Sequence, residues 1–458
     1  MTDVNPAVSS TSKKVFWRRH TSSLPGGAKP VDSKTGATKI VIGAQYSYGE
    51  TLNVVGSSSN HSSSSFETFE NFEIDQSAQQ AQLQSGTMEK LKGGVKPEIA
   101  ELVQDPINSI KFIKFLRPKK THLSETELTN YNTRLLRFNK FKDVLQSSNV
   151  DLAALRKLSW SGIPDELRPM AWQFLLGYLP CNSDRQVATL ARKRKEYEDS
   201  VSQAYAKGVA GLDQAIWHQI HIDVPRTNPG TPLYQYETTQ QCLERILYVW
   251  SIRHPASGYV QGINDLVTPF FQVFLAAYID EDPEYYDPGN LPNEVLSVIE
   301  ADSFWSLSKL LDGIQDNYTF AQPGIQRQIG KLKELINRID SKLAAHLQAE
   351  GVEFIQFAFR WMNCLLMREL SLKNTIRMWD TYLAEGPDGF SEFHLYVCAA
   401  FLVKWSDKLR SMDFQEIMMF LQSLPTSHWD EKDIELLVSE AYMWKSLFHN
   451  APNHLSRT

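Results

Sequence analysis

The stretch Ile329-Gly330-Lys331-Leu332-Lys333-Glu334-Leu335-Ile336-Asn337-Arg338-Ile339-Asp340-Ser341-Lys342-Leu343-Ala344-Ala345-His346-Leu347 puts Ile329, Leu332, Ile336, Ile339, Leu343 and Leu347 on one helical face. Apolar residues recurring at steps of three and four mark an amphipathic α-helix. The same spacing joins Leu243, Ile246, Leu247 and Trp250. Pro229-Gly230, Asp287-Pro288-Gly289 and Gly386-Pro387-Asp388-Gly389 interrupt the helical pattern, and no alternating strand pattern bounded by turn signals accompanies them. The fold class is therefore expected to be all-α. Its longest apolar stretches, Leu395 to Val403 and the interrupted Leu266 to Ile279, fall short of the ~18 uninterrupted residues of a membrane-spanning helix. They read as buried core helices.

The chain of 458 residues is 42% hydrophobic and 22% charged, as globular proteins are. Its net charge of −6 conceals a split at Lys142: residues 1 to 142 carry 19 Lys+Arg against 13 Asp+Glu, and the remainder 28 against 40. An acidic larger part disfavours nucleic acid, whose phosphates demand clustered Lys and Arg. A protein partner is expected instead. Lys13, Lys14, Arg18 and Arg19 precede no apolar segment, so no secretory signal is expected and the protein reads as intracellular. Cys181, Cys242, Cys364 and Cys398 show no metal-site or disulfide spacing and read as plain buried thiols.

Residues 1–110 are Ser-rich, with the run Ser57 to Ser65 broken only by Asn60 and His61. Such a segment lacks the apolar density to offset ordering entropy and reads as a largely disordered tail. Within it, Arg19 stands four residues before Ser23 and Pro25 two after, which fits a phosphoserine motif of the kind 14-3-3 proteins read. The same residues also fit a basic tail with no reader. Residues 111–157 form a second segment. Lys111 to Lys120 interleaves basic and apolar residues that could meet an anionic membrane surface or dock on the following domain; Pro118 favours docking. Ser124 and Glu127 then spell a capping box ahead of Leu128, Leu135, Leu136, Phe138 and Phe141, predicting an amphipathic helix where the folded region begins.

No P-loop, nucleophile elbow or H-E-x-x-H motif occurs. His218, His221 and His254 lack a carboxylate to complete a metal site, so no metal is expected. Three ordered stretches stand out. In Gly162-Ile163-Pro164-Asp165-Glu166-Leu167-Arg168-Pro169-Met170-Ala171-Trp172, a proline turn leads to a helix with Arg168 and Trp172 on one face. In Ile220-His221-Ile222-Asp223-Val224-Pro225-Arg226-Thr227, Pro225 is expected to push Val224 out of the helical region, so that Arg226 opens an irregular stretch. In Gly258-Tyr259-Val260-Gln261-Gly262-Ile263-Asn264-Asp265, two glycines bracket Gln261 and let backbone approach something closely. Taken singly, Arg226 reads as a surface arginine and Gln261 as a turn residue. Trp160, Trp172, Trp361 and Trp379 read as core.

Together these stretches resemble the signature of the TBC domain family, the GTPase-activating proteins of Rab GTPases. Its R-x-x-x-W, I-x-x-D-x-x-R and Y-x-Q elements match Arg168/Trp172, Ile220/Asp223/Arg226 and Tyr259/Gln261. Phe357-Ala358-Phe359-Arg360-Trp361 and Arg377-Met378-Trp379-Asp380 look like later core motifs. His254-Pro255-Ala256-Ser257-Gly258-Tyr259 and Leu311-Asp312-Gly313-Ile314-Gln315-Asp316-Asn317-Tyr318 resemble the subfamily of TBC1 domain family member 22 and its yeast Golgi relative.

The resemblance implies a two-lobed multi-helix domain over residues 158–450. Arg226 would be an arginine finger and Gln261 a glutamine finger, both inserted in trans, with Asp223, Tyr259, Arg168 and Trp172 supporting them. The chain would have no cofactor of its own and no intrinsic nucleotide hydrolysis, since Mg and GTP arrive with the Rab. It would be cytoplasmic and recruited peripherally, to Golgi membranes, through a protein adaptor. The competing expectation is a scaffold that binds Rab or organelle proteins without catalysis. Residues 280 to 295 read as an acidic loop near the motifs, either solvated filler or an element that tunes partner choice.

Overall fold

The computed structural model describes residues 124–449. Ser23, the Ser-rich tail and the Lys111 to Lys120 stretch lie outside the described residues. What is described is helical, and its one extended pairing is an isolated bridge between Asn149 and Asn182.

Ser124 opens α1 (Glu125–Leu145) through the expected capping box: its hydroxyl accepts from the Glu127 N–H at 3.2 Å, and the Glu127 carboxylate accepts from the Ser124 N–H at 2.9 Å. Only the later half of the helix is buried, by Phe138, Phe141 and Leu145; Leu128 and Leu136, expected on the inner face, are exposed. The apolar stripe begins where α2 (Leu152–Ser159) folds back against α1.

A first group of helices follows: α3 (Arg168–Leu175), α4 (Ser183–Ala204), α5 (Gln214–Asp223), α6 (Glu237–Arg253), the single turn α7 (Ile263–Leu266), α8 (Thr268–Ala276) and α9 (Asn293–Gly313). Asn182 and Asp213 cap α4 and α5 by accepting from their first free N–H groups. Helix α9 is the hub, packed on α4, α6 and α8. Its two buried carboxylates are fully engaged. Glu300 accepts from Arg245 at 2.9 and 2.7 Å and from the Tyr197 hydroxyl at 2.6 Å; Asp302 accepts from Arg194 at 2.9 and 2.7 Å and from Tyr178 at 2.7 Å. Such charges survive burial only when paired and hydrogen-bonded.

The second group comprises α10 (Pro323–Ile339), α11 (Ser341–Ala349), α12 (Ile355–Asn363), α13 (Leu372–Glu385), α14 (His394–Val403), α15 (Ser406–Leu409), α16 (Phe414–Gln422) and α17 (Glu431–Phe448). The face from Ile329 to Leu347 is broken at Asp340, whose carboxylate accepts from the Leu343 N–H at 2.9 Å and starts α11. Ile329, Leu332, Ile336, Leu343 and Leu347 are buried as their spacing requires, while Ile339, beside the break, is half-buried. Both long apolar stretches are core helices, α14 lying against α10 and α17, and α7 with α8 against α6 and α9. Contacts of α3 and α8 with α13 join the two groups.

Trp172, Trp361 and Trp379 are fully buried. Trp160 is only half-buried, and its indole N–H donates to Glu385 at 2.7 Å. Cys242, Cys364 and Cys398 are buried free thiols, and Cys181 is half-buried. No described helix is long and apolar enough to cross a membrane.

His394 sits fully buried in α14, with Nε2 3.1 Å from the Trp361 carbonyl and Nδ1 2.9 Å from the Tyr382 hydroxyl. These partners suit a neutral ring that donates from Nε2 and accepts at Nδ1. Burial lowers its pKa from 6.5 to about 4. The unfolded chain therefore binds the proton more tightly, and the stability that neutral His394 confers is complete above pH 6.5 and lost as pH falls toward 4. At most about 3 kcal/mol is at stake. The stability advantage of wild type over His394→Gln in urea unfolding is expected to narrow between about pH 7.5 and pH 4.5. An advantage constant with pH would contradict it.

Candidate functional site

The last turn of α5 buries Ile220 and Asp223, and Val224 beyond it is fully buried. Contrary to the expectation from Pro225, Val224 stays helical at φ −60°, ψ −47°, and Val224–Arg226 forms a 3₁₀ turn closed by Thr227 N–H to Val224 C=O at 3.0 Å. Burial of the valine side chain outweighs the pre-proline bias. Proline is tolerated in this first turn because its missing N–H would have had no partner there. The turn ends by projecting Arg226, whose side chain is 56% exposed.

Asp223, by contrast, is buried, and it holds two loops. One carboxylate oxygen accepts from Arg226 Nη2 and the other from the Tyr259 hydroxyl at 2.8 Å. Burial first, and then the Asp223 charge, push the Tyr259 hydroxyl well above its ordinary pKa, so it remains a donor. Thr227 completes the link: its hydroxyl donates to the Asp223 carbonyl at 2.9 Å and accepts from Asn264 Nδ2 at 2.9 Å. Asn264 Oδ1 in turn accepts from the Gly262 N–H at 2.9 Å. The arginine loop and the glutamine loop are thereby one hydrogen-bonded unit.

Gln261 is half-exposed at the crest of the second loop. Its carbonyl accepts from Asn363 Nδ2 at 2.9 Å, across 102 residues of chain. Gly262 lies at φ +111°, and a Cβ there would stand 2.3 Å from Asn363 Nδ2, so both conformation and space demand glycine. The close approach expected at this loop is made by Asn363.

Arg168 and Trp172 belong to a different cluster. Arg168 donates to Asp380 at 3.1 Å from Nε and 3.1 Å from Nη2, and to the Ile163 carbonyl at 2.7 Å; it also pairs with Asp165. The Trp172 indole donates to Asp380 at 2.7 Å, and the Ile163 N–H at 2.9 Å. Burial opposes the Arg168 charge, but Asp380 and then Asp165 outweigh it and hold the guanidinium above its ordinary pKa. The first motif is thus locked to the last, Arg377-Met378-Trp379-Asp380, fastening α3 to α13. No hydrogen bond among the described residues joins it directly to Arg226 or Gln261.

Residues 165–410 match the model of the Rab-GTPase-TBC domain. The chain belongs to the Rab-GTPase-TBC domain family. It is 60% identical over 346 residues to the GTPase-activating protein gyp1 of Schizosaccharomyces pombe, covering 75% of this chain and 67% of that protein. Human TBC1 domain family member 22B is 58% identical over 322 residues, 70% of this chain and 64% of the relative. The chain thus spans about two thirds of the length of these relatives. The crystal structure of the Ypt/Rab-GAP domain of Gyp1p superposes with a TM-score of 0.66 at 53% identity, covering 69% of this chain and 99% of that one.

Other polar residues of the TBC domain are engaged with partners of their own. His221 pairs with Glu244 at 2.6 Å and stacks on Trp217; His254 stacks on Trp250 and meets that residue's carbonyl at 2.7 Å. Among the described residues no group of three or more His, Cys, Asp or Glu could hold a metal. The acidic loop is more than solvated filler: Tyr286 and Leu291 are buried, and Glu284 C=O accepts from the Leu233 N–H at 3.0 Å, just beyond the arginine loop.

Sequence reasoning assigned no role to Thr227, Asn264 or Asp380, although each lies inside a motif stretch. Asn363 carried no local signal at all.

Asp380 is wholly buried among three donors. Asp380→Ala removes the one buried carboxylate that pairs with Arg168, leaving it only the exposed Asp165 and the Ile163 carbonyl, and is expected to destabilise the domain by about 3–5 kcal/mol in urea unfolding. A loss below about 1 kcal/mol would contradict that account of the α3–α13 joint.

Proposed function

We propose that this chain accelerates GTP hydrolysis on a Rab-family GTPase by inserting Arg226 and Gln261 into the GTPase's nucleotide site. The observation that carries the reading is the coupling of an exposed arginine to a half-exposed glutamine through Asp223, Tyr259, Thr227 and Asn264. The family supports it, as do relatives named GTPase-activating protein.

GTP hydrolysis is slow where charge building on the phosphoryl oxygens is poorly stabilised and the attacking water poorly held. A guanidinium is permanently charged and planar, so Arg226 supplies two donors in a fork that lysine lacks. Such a finger accelerates hydrolysis by roughly 10³–10⁵, or about 4–7 kcal/mol of barrier. The Gln261 amide can accept from the water while donating to the γ-phosphate, which fixes in-line attack. Asp223 orients the arginine until the phosphate competes for it. Mg and GTP come with the GTPase, and the chain contributes no cofactor. Arg168 and Trp172 act remotely, by holding α3 to α13.

The reading extends to membrane traffic. Switching a Rab off would end a transport step, and the subfamily resemblance favours recruitment to the Golgi through a protein adaptor. A phosphorylated Ser23 read by 14-3-3 would regulate that recruitment. Ser23 lies outside the described residues.

Single-turnover phosphate release from a panel of GTP-loaded Rabs tests the proposal. Acceleration of a subset is expected, falling by roughly 10³-fold in Arg226→Ala. Full acceleration by Arg226→Ala would contradict it.

A further inference from the structure

The peptide group between Gln261 and Gly262 is held at both ends. Its N–H donates to Asn264, which belongs to the network of the arginine loop, and its C=O accepts from Asn363 at the end of α12. Asn363 is itself braced. Its Oδ1 accepts from Gln322 Nε2 at 3.3 Å, and its backbone carbonyl accepts from the buried Tyr318 hydroxyl at 2.8 Å. Gln322 also donates to the Asn317 carbonyl at 3.0 Å. A side-chain amide clamped at oxygen and nitrogen together has one orientation left, and Asn363 is only 7% exposed.

Backbone strain marks the same place. The non-glycine residues at positive φ among those described are Asn228, Ala321, Gln322, Leu365 and Leu366. Asn228 follows Arg226 by two residues, and the other four comprise Gln322, its neighbour, and the pair just beyond Asn363. Conformations that cost of order 1–3 kcal/mol each persist where the surroundings over-determine them, and they cluster at functional sites.

We infer that Asn363 is a positioning residue for Gln261: by fixing the 261–262 peptide plane from the second helix group, it sets the direction in which the glutamine side chain leaves the loop. The inference rests on the proposed role of Gln261. Asn264 fixes the same plane from the arginine side, so the direction of Gln261 relative to Arg226 depends on both asparagines. Asn363→Asp keeps the shape and the contact with Gln322, but a carboxylate cannot donate to the Gln261 carbonyl and repels it.

The test uses the full chain and the GTP-loaded Rab it turns over fastest, comparing Asn363→Ala and Asn363→Asp in the wild-type and Gln261→Ala backgrounds. In the wild-type background kcat is expected to fall about 30-fold at unchanged KM, the signature of lost orientation. In the Gln261→Ala background the same changes should cost less than about 2-fold, since a residue acting through Gln261 has nothing left to orient. Melting curves identify any variant that fails to fold, and the isosteric aspartate covers failure of the alanine. Equal losses in both backgrounds, an effect confined to KM, or unchanged kcat would overturn the inference while leaving the role of Gln261 intact. Wild-type kcat in Gln261→Ala itself would overturn the glutamine role, and this inference with it.

Discussion

The Asp223 carboxylate is the constraint on which the candidate site depends. It is buried, and each oxygen serves a different loop, Arg226 on one side and Tyr259 on the other. A buried carboxylate must have its lone pairs satisfied, so neither loop can relax without exposing the charge to an unfavourable environment. That requirement explains the local architecture. Val224 is buried and stays helical despite the proline after it, and the 3₁₀ turn it begins keeps Arg226 within reach of Asp223. Tyr259 is buried beneath the loop because its hydroxyl is the donor the second oxygen needs.

Buried carboxylates recur as fasteners elsewhere. Glu300 binds α9 to α6 and α4 through Arg245 and Tyr197, Asp302 binds it to α4 through Arg194 and to the segment after α3 through Tyr178, and Asp380 binds α3 to α13. In each case the carboxylate meets donors from sequence-distant segments. Apolar packing would tolerate small slips between these helices, whereas a directional ion pair does not. The Arg226 and Gln261 loops belong to the first helix group and are braced by Asn363 from the second, while Asp380 joins the same two groups through α3 and α13.

Much of this was legible in the sequence. The steps of three and four in Ile329 to Leu347 and Leu243 to Trp250 gave helices, and the second and third motif stretches contained Asp223, Arg226, Tyr259 and Gln261, which the fold brings into two linked loops. What escaped has physical reasons. The break at Asp340 is a cap inside a continuous apolar period, and periodicity is blind to it. Leu128 and Leu136 fit a helical face but precede the point where another helix covers it. Asn363 could not be seen, because a single amide reaching a carbonyl 102 residues away leaves no local pattern.

The central claim is that one hydrogen-bonded unit presents both fingers, and Tyr259→Phe tests it most directly, since it deletes a single hydroxyl and keeps the ring. The measurement is the single-turnover rate of GTP hydrolysis on a saturating Rab substrate, beside the affinity for that Rab in its GTP state. The account predicts a rate lowered by about tenfold or more with affinity unchanged. An unchanged rate would mean that the Asp223–Tyr259 bond does not hold the fingers in register, and would contradict it.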